Sequence, residues 1–416
     1  MITPSNHTLS NQFTRAIHSL RCVMIYLGIW PGERHQNWYL LLWVFHSASL
    51  IYLTTGSVGG LIVLRHNANK IINNLGMSSP TILIVCKWFT FAWRKKLCKR
   101  LMHFMDDDWV NLEKDTLINK SVPDSKRIII NFYKTANFFV CTFIILASVA
   151  TVNFLGQSFL SLNRRDDKPI KDNIFPMPYS WYPVNYDGLS YIIQFLVFAQ
   201  ISSMLSTFLA TTAIDGFLVA TILHLSSQLK ILRLFVEGIV YEPCHPQNYK
   251  KKVREMVKRH QVLLRKCLFN FSVAATLQEC YSLIALQHVM SCVLALCFLE
   301  CSFLMELQEN EASRTSLLTF GLFAIGSLET AFIYCFAGDS LTNEGFAIGL
   351  AIYRCEWYSF TRSANLSLSI AMIRAQKPIE ISAAQIFPLT LENFTVIVKA
   401  AASYLSTLRA YSMVEA

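Results

Sequence analysis

An all-α polytopic membrane protein with seven transmembrane helices is the fold class predicted here, and three observations predict it. Charged residues make up only 15% of the 416 positions, against roughly 25% in an ordinary globular chain. Hydrophobic residues reach 53% and the mean hydropathy is +0.37. The few charges are also clustered, which leaves windows long enough to cross a hydrocarbon core of about 30 Å as helices. Backbone groups in lipid must be bonded internally, so only helices or a closed barrel remain. Barrel strands alternate in polarity over short segments, and the unbroken apolar run Phe138 to Val149 does not.

Taken in order, and neglecting His, the first window from Asn37 to Leu64 has no Lys, Arg, Asp or Glu. The second, about Ile71 to Trp93, contains Pro80 and Lys87, a side chain long enough to snorkel toward an interface. The third, Thr135 to Leu162, and the fourth, about Gly188 to Ile214, carry no formal charge. The fifth, Cys267 to Leu304, includes Glu279 and Glu300, and the sixth, Thr315 to Phe336, has Glu329 near its end. The seventh, about Ala384 to Tyr411, is the least hydrophobic, with Glu392, Lys399 and Arg409 among Ser and Thr residues.

Lysine and arginine placement supplies the direction. Of 37 such residues, 27 fall in segments 1–36, 94–134, 215–266 and 337–383, and 6 fall in the segments between them on the other side. The first side is therefore expected in the cytoplasm, with the amino terminus inside and a short tail after Tyr411 outside. Met1 to Pro31 shows no clean signal peptide, so the first span is expected to direct insertion itself. The chain divides into a cytoplasmic amino-terminal segment (1–36), helices one to six (37–336), a cytoplasmic segment (337–383) and a seventh helix with a short extracellular tail (384–416).

The formal charge of +10 invites a nucleic-acid reading, but basic residues at helix ends are better explained by anionic headgroups. No nucleic-acid partner is expected. Twelve cysteines are scattered, and Cys297 and Cys301 share a helix face without forming a closed metal site. Ten histidines form no metal-binding helix motif; His288 either packs or touches a cavity. Gly56-Ser57-Val58-Gly59-Gly60 lies inside a membrane window with no following Lys, so it suits close helix contact rather than phosphate. Nothing points to an enzyme, a metal or a cofactor. From Asn163 to Asp187 a charged turn leads into a Pro- and aromatic-rich stretch, suited to cover an external mouth or control access to it. Between Asp215 and Lys266, Leu218, Ile222, Leu225 and Leu229 form a helical apolar stripe, which predicts long helices projecting beneath the membrane.

The most specific signal lies near the carboxy terminus. Tyr334-Cys335-Phe336-Ala337-Gly338-Asp339-Ser340-Leu341-Thr342 is followed by Ala351-Ile352-Tyr353-Arg354-Cys355-Glu356-Trp357-Tyr358 and then Met372-Ile373-Arg374-Ala375-Gln376-Lys377-Pro378. Phe387-Pro388-Leu389-Thr390-Leu391-Glu392-Asn393-Phe394 and Ser403-Tyr404-Leu405-Ser406-Thr407-Leu408 complete the array. In this order the segments resemble the insect odorant receptor family; the rest of the chain is similar mainly in helix layout.

The resemblance implies the odorant-binding subunit of a heteromeric, odorant-gated, nonselective cation channel in the cell membrane of olfactory sensory neurons. The implied partners are the odorant receptor co-receptor, in a heterotetramer, a small volatile organic ligand, permeant cations and membrane lipids. Residues 337–383 would form an intracellular anchor, with subunit contacts through Tyr353, Glu356, Trp357, Tyr358, Arg374 and Lys377. The last helix would line the pore. Its polar positions Thr395, Lys399, Ser403 and Thr407 recur every four residues beside Val396, and Lys399 suits a subunit seam or wide vestibule better than a narrow cation filter. Ligand contact in the outer half of the bundle maps to Ser148, Thr151, Val152, Leu155, Tyr191, Phe195, Phe320 and Phe323, each of which also reads as ordinary helix packing. A gustatory receptor-like channel and a membrane transporter are the alternatives.

Overall fold

In the computed structural model the described residues are 17–32, 37–63, 65–66, 68–115, 121–163, 190–241, 246–264, 273–308, 314–355, 357, 360–377 and 379–415. The first half holds α1 (His18–Tyr26), α2 (Asn37–Val63), α3 (Ala68–Trp93), α4 (Lys95–Lys114), α5 (Ser125–Asn163) and α6 (Ser190–Tyr241). The second holds α7 (Pro246–Leu264), α8 (Val273–Gln308), α9 (Arg314–Arg354), α10 (Arg362–Ala375), a minimal ladder of β1 (Ser382–Ala383) and β2 (Phe387–Pro388), and α11 (Leu391–Glu415). Among the described residues six helices, α2, α3, α5, α6, α8 and α9, are long and apolar enough to cross a membrane. At 25 residues α11 has the length, but Glu392, Lys399 and Arg409 dilute its apolar positions.

Several helices outrun their apolar windows, because polar residues end a membrane span without ending a helix. α5 begins ten residues before the window at Thr135, α6 continues past Ile214 to Tyr241, and α9 runs unbroken across the predicted boundary at 336–337. The last helix starts at Leu391 rather than Ala384. Its upstream residues form the antiparallel ladder, with Ala384 and Gln385 turning at φ of 50° and 61°.

α6 is the hub. From Ala210 to Leu229 every residue but Thr211 is buried, as befits a helix that is largely apolar all round. The stripe Leu218, Ile222, Leu225 and Leu229 lies wholly inside. Gly216 lets neighbours close in: a Cβ there would lie 2.9 Å from Val140 Cγ2 of α5 and 3.1 Å from Leu20 Cδ1 of α1. The hydroxyl groups of α6 are satisfied within the helix, since Ser203, Ser206, Thr207, Thr211 and Thr212 each donate to the carbonyl four residues earlier at 2.7–2.9 Å. The expected close contact at the first-span glycines is present: Gly56, Ser57 and Gly60 are buried, and Asn74 Nδ2 of α3 donates to Ser57 O at 3.3 Å.

Lys87 does not snorkel. It is 3% exposed, and its ammonium lies 3.1 and 3.2 Å from Asp215 Oδ1 and Oδ2. Asp215 stands one residue beyond the charge-free fourth window, so α6 presents a carboxylate where α3 presents its cation.

Toward the carboxy-terminal end of α9, a stripe of small residues receives α10 and the ladder. A Cβ on Gly338 would overlap the Leu389 carbonyl oxygen and sit 2.8 Å from Leu389 Cβ, while Gly345 and Gly349 would approach Ile379 Cδ1 at 3.0 Å and Ala375 Cβ at 3.3 Å. Thr342 Oγ1 donates to Ile379 O at 3.1 Å. From α8, Gln278 acts as an edge partner for β1: its Nε2 donates to Ser382 O at 2.9 Å and its Oε1 accepts from Ser382 N–H at 3.0 Å.

Removing one member of a buried ion pair strands the other, so Lys87→Met should destabilise the fold by about 3–5 kcal/mol, and adding Asp215→Leu should recover part of that loss. Thermal unfolding of the detergent-solubilised protein checks this; equal stability of the single variant and the wild type would contradict the pair's importance. Gly338→Ala should cost about 1–3 kcal/mol by overpacking. Gly156→Ala, whose Cβ would meet nothing within 4 Å, should not show that loss in the same assay.

Candidate functional site

A cavity of about 150 Å³ lies inside the helix bundle. α5 contributes Phe143, Leu146, Ala147 and Ala150, a single face at helical spacing. α6 adds Met204, Thr207, Phe208 and Thr211, and α9 adds Leu322, Phe323, Gly326, Ser327 and Thr330. Leu53 of α2, with Pro80, Thr81 and Ile84 of α3, lines it as well. Its hydroxyls are mostly committed: Thr207, Thr211, Ser327 and Thr330 donate to their own helices, leaving acceptor lone pairs for a guest.

One end of this cavity is polar. Lys87, His288 and Cys292 line it, and Asp215 and Tyr334 stand behind them, lining a smaller adjoining hollow. Lys87 Nζ lies 2.8 Å from His288 Nδ1, and a lysine ammonium can only donate, so Nδ1 accepts and the ring proton sits on Nε2, 3.4 Å from Cys292 Sγ. Tyr334 OH donates to Asp215 Oδ1 at 2.6 Å, and its ring stacks on His288 with centroids 4.1 Å apart at 12°. Four helices thus meet on one hydrogen-bonded group: α3 through Lys87, α6 through Asp215, α8 through His288 and α9 through Tyr334. Such an arrangement anchors helices and orients a polar guest atom; it offers no exposed nucleophile.

Of the eight residues expected around a ligand, Phe323 lines the cavity. Phe320 is buried beside it with Ala295 and Leu299. Val152 and Phe195 are 69% and 67% exposed, and Ser148 is exposed with its hydroxyl returned to Ile144 O. Thr151 is half-buried and bonded to Ala147 O. Leu155 and Tyr191 lie on α5 and α6, and their side chains fall outside the described set. Two offsets account for the difference. The cavity uses the 143, 146, 147, 150 face of α5 rather than the 148, 152, 155 face, and on α6 it begins nine residues after Phe195, about 14 Å further along the helix. In the sequence His288 stands out as a residue that packs or touches a cavity, but its link to Lys87 and Asp215 does not, although an isolated Lys in one span and an Asp at the edge of another point to a pair.

On α11, Thr395, Val396, Lys399, Ser403 and Thr407 are all exposed in the single chain, while Ile397 is buried and Phe394, Ala401 and Leu405 are partly so. Cys301 Sγ of α8 lies 3.7 Å from Tyr404 OH. Tyr353 and Trp357 are 66% and 41% exposed, Arg374 and Lys377 are exposed, and Glu356 and Tyr358 lie outside the described residues. His260 of α7 is buried, and burial followed by the nearby Arg374 guanidinium pushes its imidazole down to about 4. The exposed apolar stripe Leu366, Ile370 and Ile373 on α10 was not singled out, although its spacing is visible in the sequence. Among the described residues no group of three or more His, Cys, Asp and Glu is placed to hold a metal ion.

Comparison with known proteins agrees with the fold. The family described as 7tm Odorant receptor matches residues 67–402. Odorant receptor 67c of Drosophila melanogaster is 20% identical over 319 residues, 75% of this chain and 73% of that protein. Odorant receptor 22c of the same species is 22% identical over 215 residues, so the match spans 49% of this chain and 50% of that protein. The Odorant receptor coreceptor of Aedes aegypti is 25% identical over 161 residues, 38% of this chain and 30% of its own length. The solved olfactory receptor OR5 from Machilis hrabei, in complex with eugenol, has the same fold: the TM-score is 0.75 at 14% identity, covering 96% of this chain and 99% of that one. With a family match over most of its length and a shared fold end to end, this chain belongs to the insect odorant receptor family, multi-pass membrane proteins that are not enzymes.

Proposed function

We propose that this chain is the odorant-binding subunit of a heteromeric, ligand-gated, nonselective cation channel formed with the odorant receptor coreceptor in olfactory sensory neurons. The basic end of the bundle faces the cytoplasm, and the cavity takes a small volatile. One observation carries the reading: a single unbroken helix, α9, supplies a wall of the cavity and the seat of the last helix. Leu322 to Thr330 line the cavity, Tyr334 ties into the buried polar group, and Gly338 packs against Leu389 at the entry to α11. Asp339 Oδ1 accepts from Leu391 N–H at 3.4 Å and Thr390 Oγ1 from Asn393 N–H at 3.3 Å, so that entry is also capped. Thr330 and Asp339 are nine residues apart, about 14 Å along the axis.

A guest that fits one position of α9 better than another shifts the population toward that position, and the seat of α11 moves with it. Thr395, Val396, Lys399, Ser403 and Thr407 then form the conducting side of α11. Phe323 reads the ligand directly. Tyr353, Trp357, Arg374 and Lys377, with the α10 stripe at Leu366, Ile370 and Ile373, meet neighbouring subunits. Selectivity comes mostly from volume, at about 0.8 kcal/mol per methylene. A ligand hydroxyl finds acceptors in Thr207, Thr211 and Thr330, and an unpaired polar atom is penalised.

Coexpression with the coreceptor, voltage clamp and a panel of volatiles test the proposal. A ligand-evoked cation current is expected. Ala150→Phe, which fills the cavity, should raise the effective ligand concentration tenfold or more, equivalent to about 1.4 kcal/mol, while surface assembly stays unchanged. Phe323→Ala should alter the ranking of the panel. Unchanged tuning in both variants, or saturable cargo flux without conductance, would overturn the reading.

A further inference from the structure

A second hollow, of about 120 Å³, opens at the basic end of the bundle, between the loop after α1, the start of α2 and the end of α3. Tyr39, Leu40, Trp43 and Phe91 make its walls apolar and aromatic, and among the described residues Lys95 is the one charged side chain lining it. Gly28, at φ 70°, brings the loop so close that a Cβ would lie 2.8 Å from Trp43 N. The hollow is therefore shaped by backbone as well as by side chains.

Lys95 sits there in electrostatic debt. It is half-buried, and among the described residues no carboxylate pairs with it; its recorded neighbour is the Tyr39 ring, 5.6 Å from Nζ. It is also the first residue of α4, where the helix dipole is positive, and no acidic residue stands in that first turn. Burial, then repulsion from Lys99, push its pKa below the usual lysine value. Arg94 next to it differs, with Glu279 at 3.3 Å and the Trp93 ring at 4.8 Å. A single anion beside Lys95 would counter the charge of Lys99 and the positive end of the helix dipole.

The position of the hollow selects the kind of anion. Trp93 is 74% exposed at the end of α3, where an aromatic side chain suits a headgroup boundary. Leu40 and Leu41, 61% and 68% exposed, continue the apolar surface outward along α2. Apolar walls give a free ion nothing, whereas a molecule with an anionic head and an apolar tail satisfies both ends. We infer that the hollow bounded by Leu40, Trp43, Phe91 and Lys95 binds an anionic phospholipid of the leaflet at the basic end. Its phosphate rests on Lys95 and its chain follows Leu40 and Trp43. This site is separate from the ligand cavity and stands whether or not the channel reading holds.

The full-length protein, purified in mixed micelles with equal phosphatidylserine and phosphatidylcholine, provides the test, with retained lipid counted by native mass spectrometry. Phosphatidylserine should be retained in preference. Lys95→Gln should reduce that preference about fivefold, the effect of one basic residue at an anionic surface. Lys95→Arg should keep it, and Lys96→Gln, an exposed neighbour, should leave it near the wild-type value. Equal retention of the two lipids, an unchanged preference in Lys95→Gln, or displacement by excess inorganic phosphate would each overturn the inference.

Discussion

A lysine ammonium and an aspartate carboxylate withdrawn from water together, inside a bundle built for lipid, constrain the rest of this structure. Each buried ion costs several kcal/mol even after relaxation, and the pair recovers that cost only with good geometry and further hydrogen bonds. Lys87 and Asp215 meet both conditions because His288 accepts from the ammonium and Tyr334 donates to the carboxylate. The four partners come from four helices, so α3, α6, α8 and α9 are held at one depth relative to each other. The polar end of the cavity is fixed by that requirement, while its Leu, Ala, Phe and Met walls carry no such constraint.

How much of this was readable from the sequence depends on whether a feature is local. The spans were readable because charge-free windows are a property of single segments, and Asn37 to Leu64 became α2 almost residue for residue. Helix ends were not: Arg127 and Lys134 close an apolar window but do not break the α5 backbone. In the sequence alone Lys87 is a cation seeking water, because its partner lies 128 residues away. The face of α5 that lines the cavity is hidden in the same way, since periodicity shows that α5 has faces but not which one turns inward. Among the family-like segments the array was visible, and the structure gives it a physical reason. Gly338 has no room for a side chain against Leu389, and Asp339 reaches the first amide of the last helix.

The last helix is therefore held from two sides. α9 seats it through Gly338 and Asp339, and α8 grips the preceding ladder through Gln278 and through Ser282 O, which accepts from Ala384 N–H at 3.2 Å. Between them lies a turn with two non-glycine residues in the left-handed region, each costing roughly 1–2 kcal/mol. If the chain gates a pore as proposed, this doubly anchored turn carries a shift of α8 or α9 to the last helix. On the channel reading, the exposed polar stripe of α11 and the exposed apolar stripe of α10 are the two surfaces that assembly would cover, one beside water and one beside protein.

The coupling of cavity to pore is tested most directly by cysteine accessibility along α11. With the coreceptor present, Ser403→Cys and Thr407→Cys channels would be exposed to a charged thiol reagent with and without an activating volatile, while current is recorded. Modification should change the current and proceed faster with the ligand bound, and Ala150→Phe should remove the acceleration. Modification that leaves the current unaltered, or proceeds at one rate regardless of ligand, would contradict it.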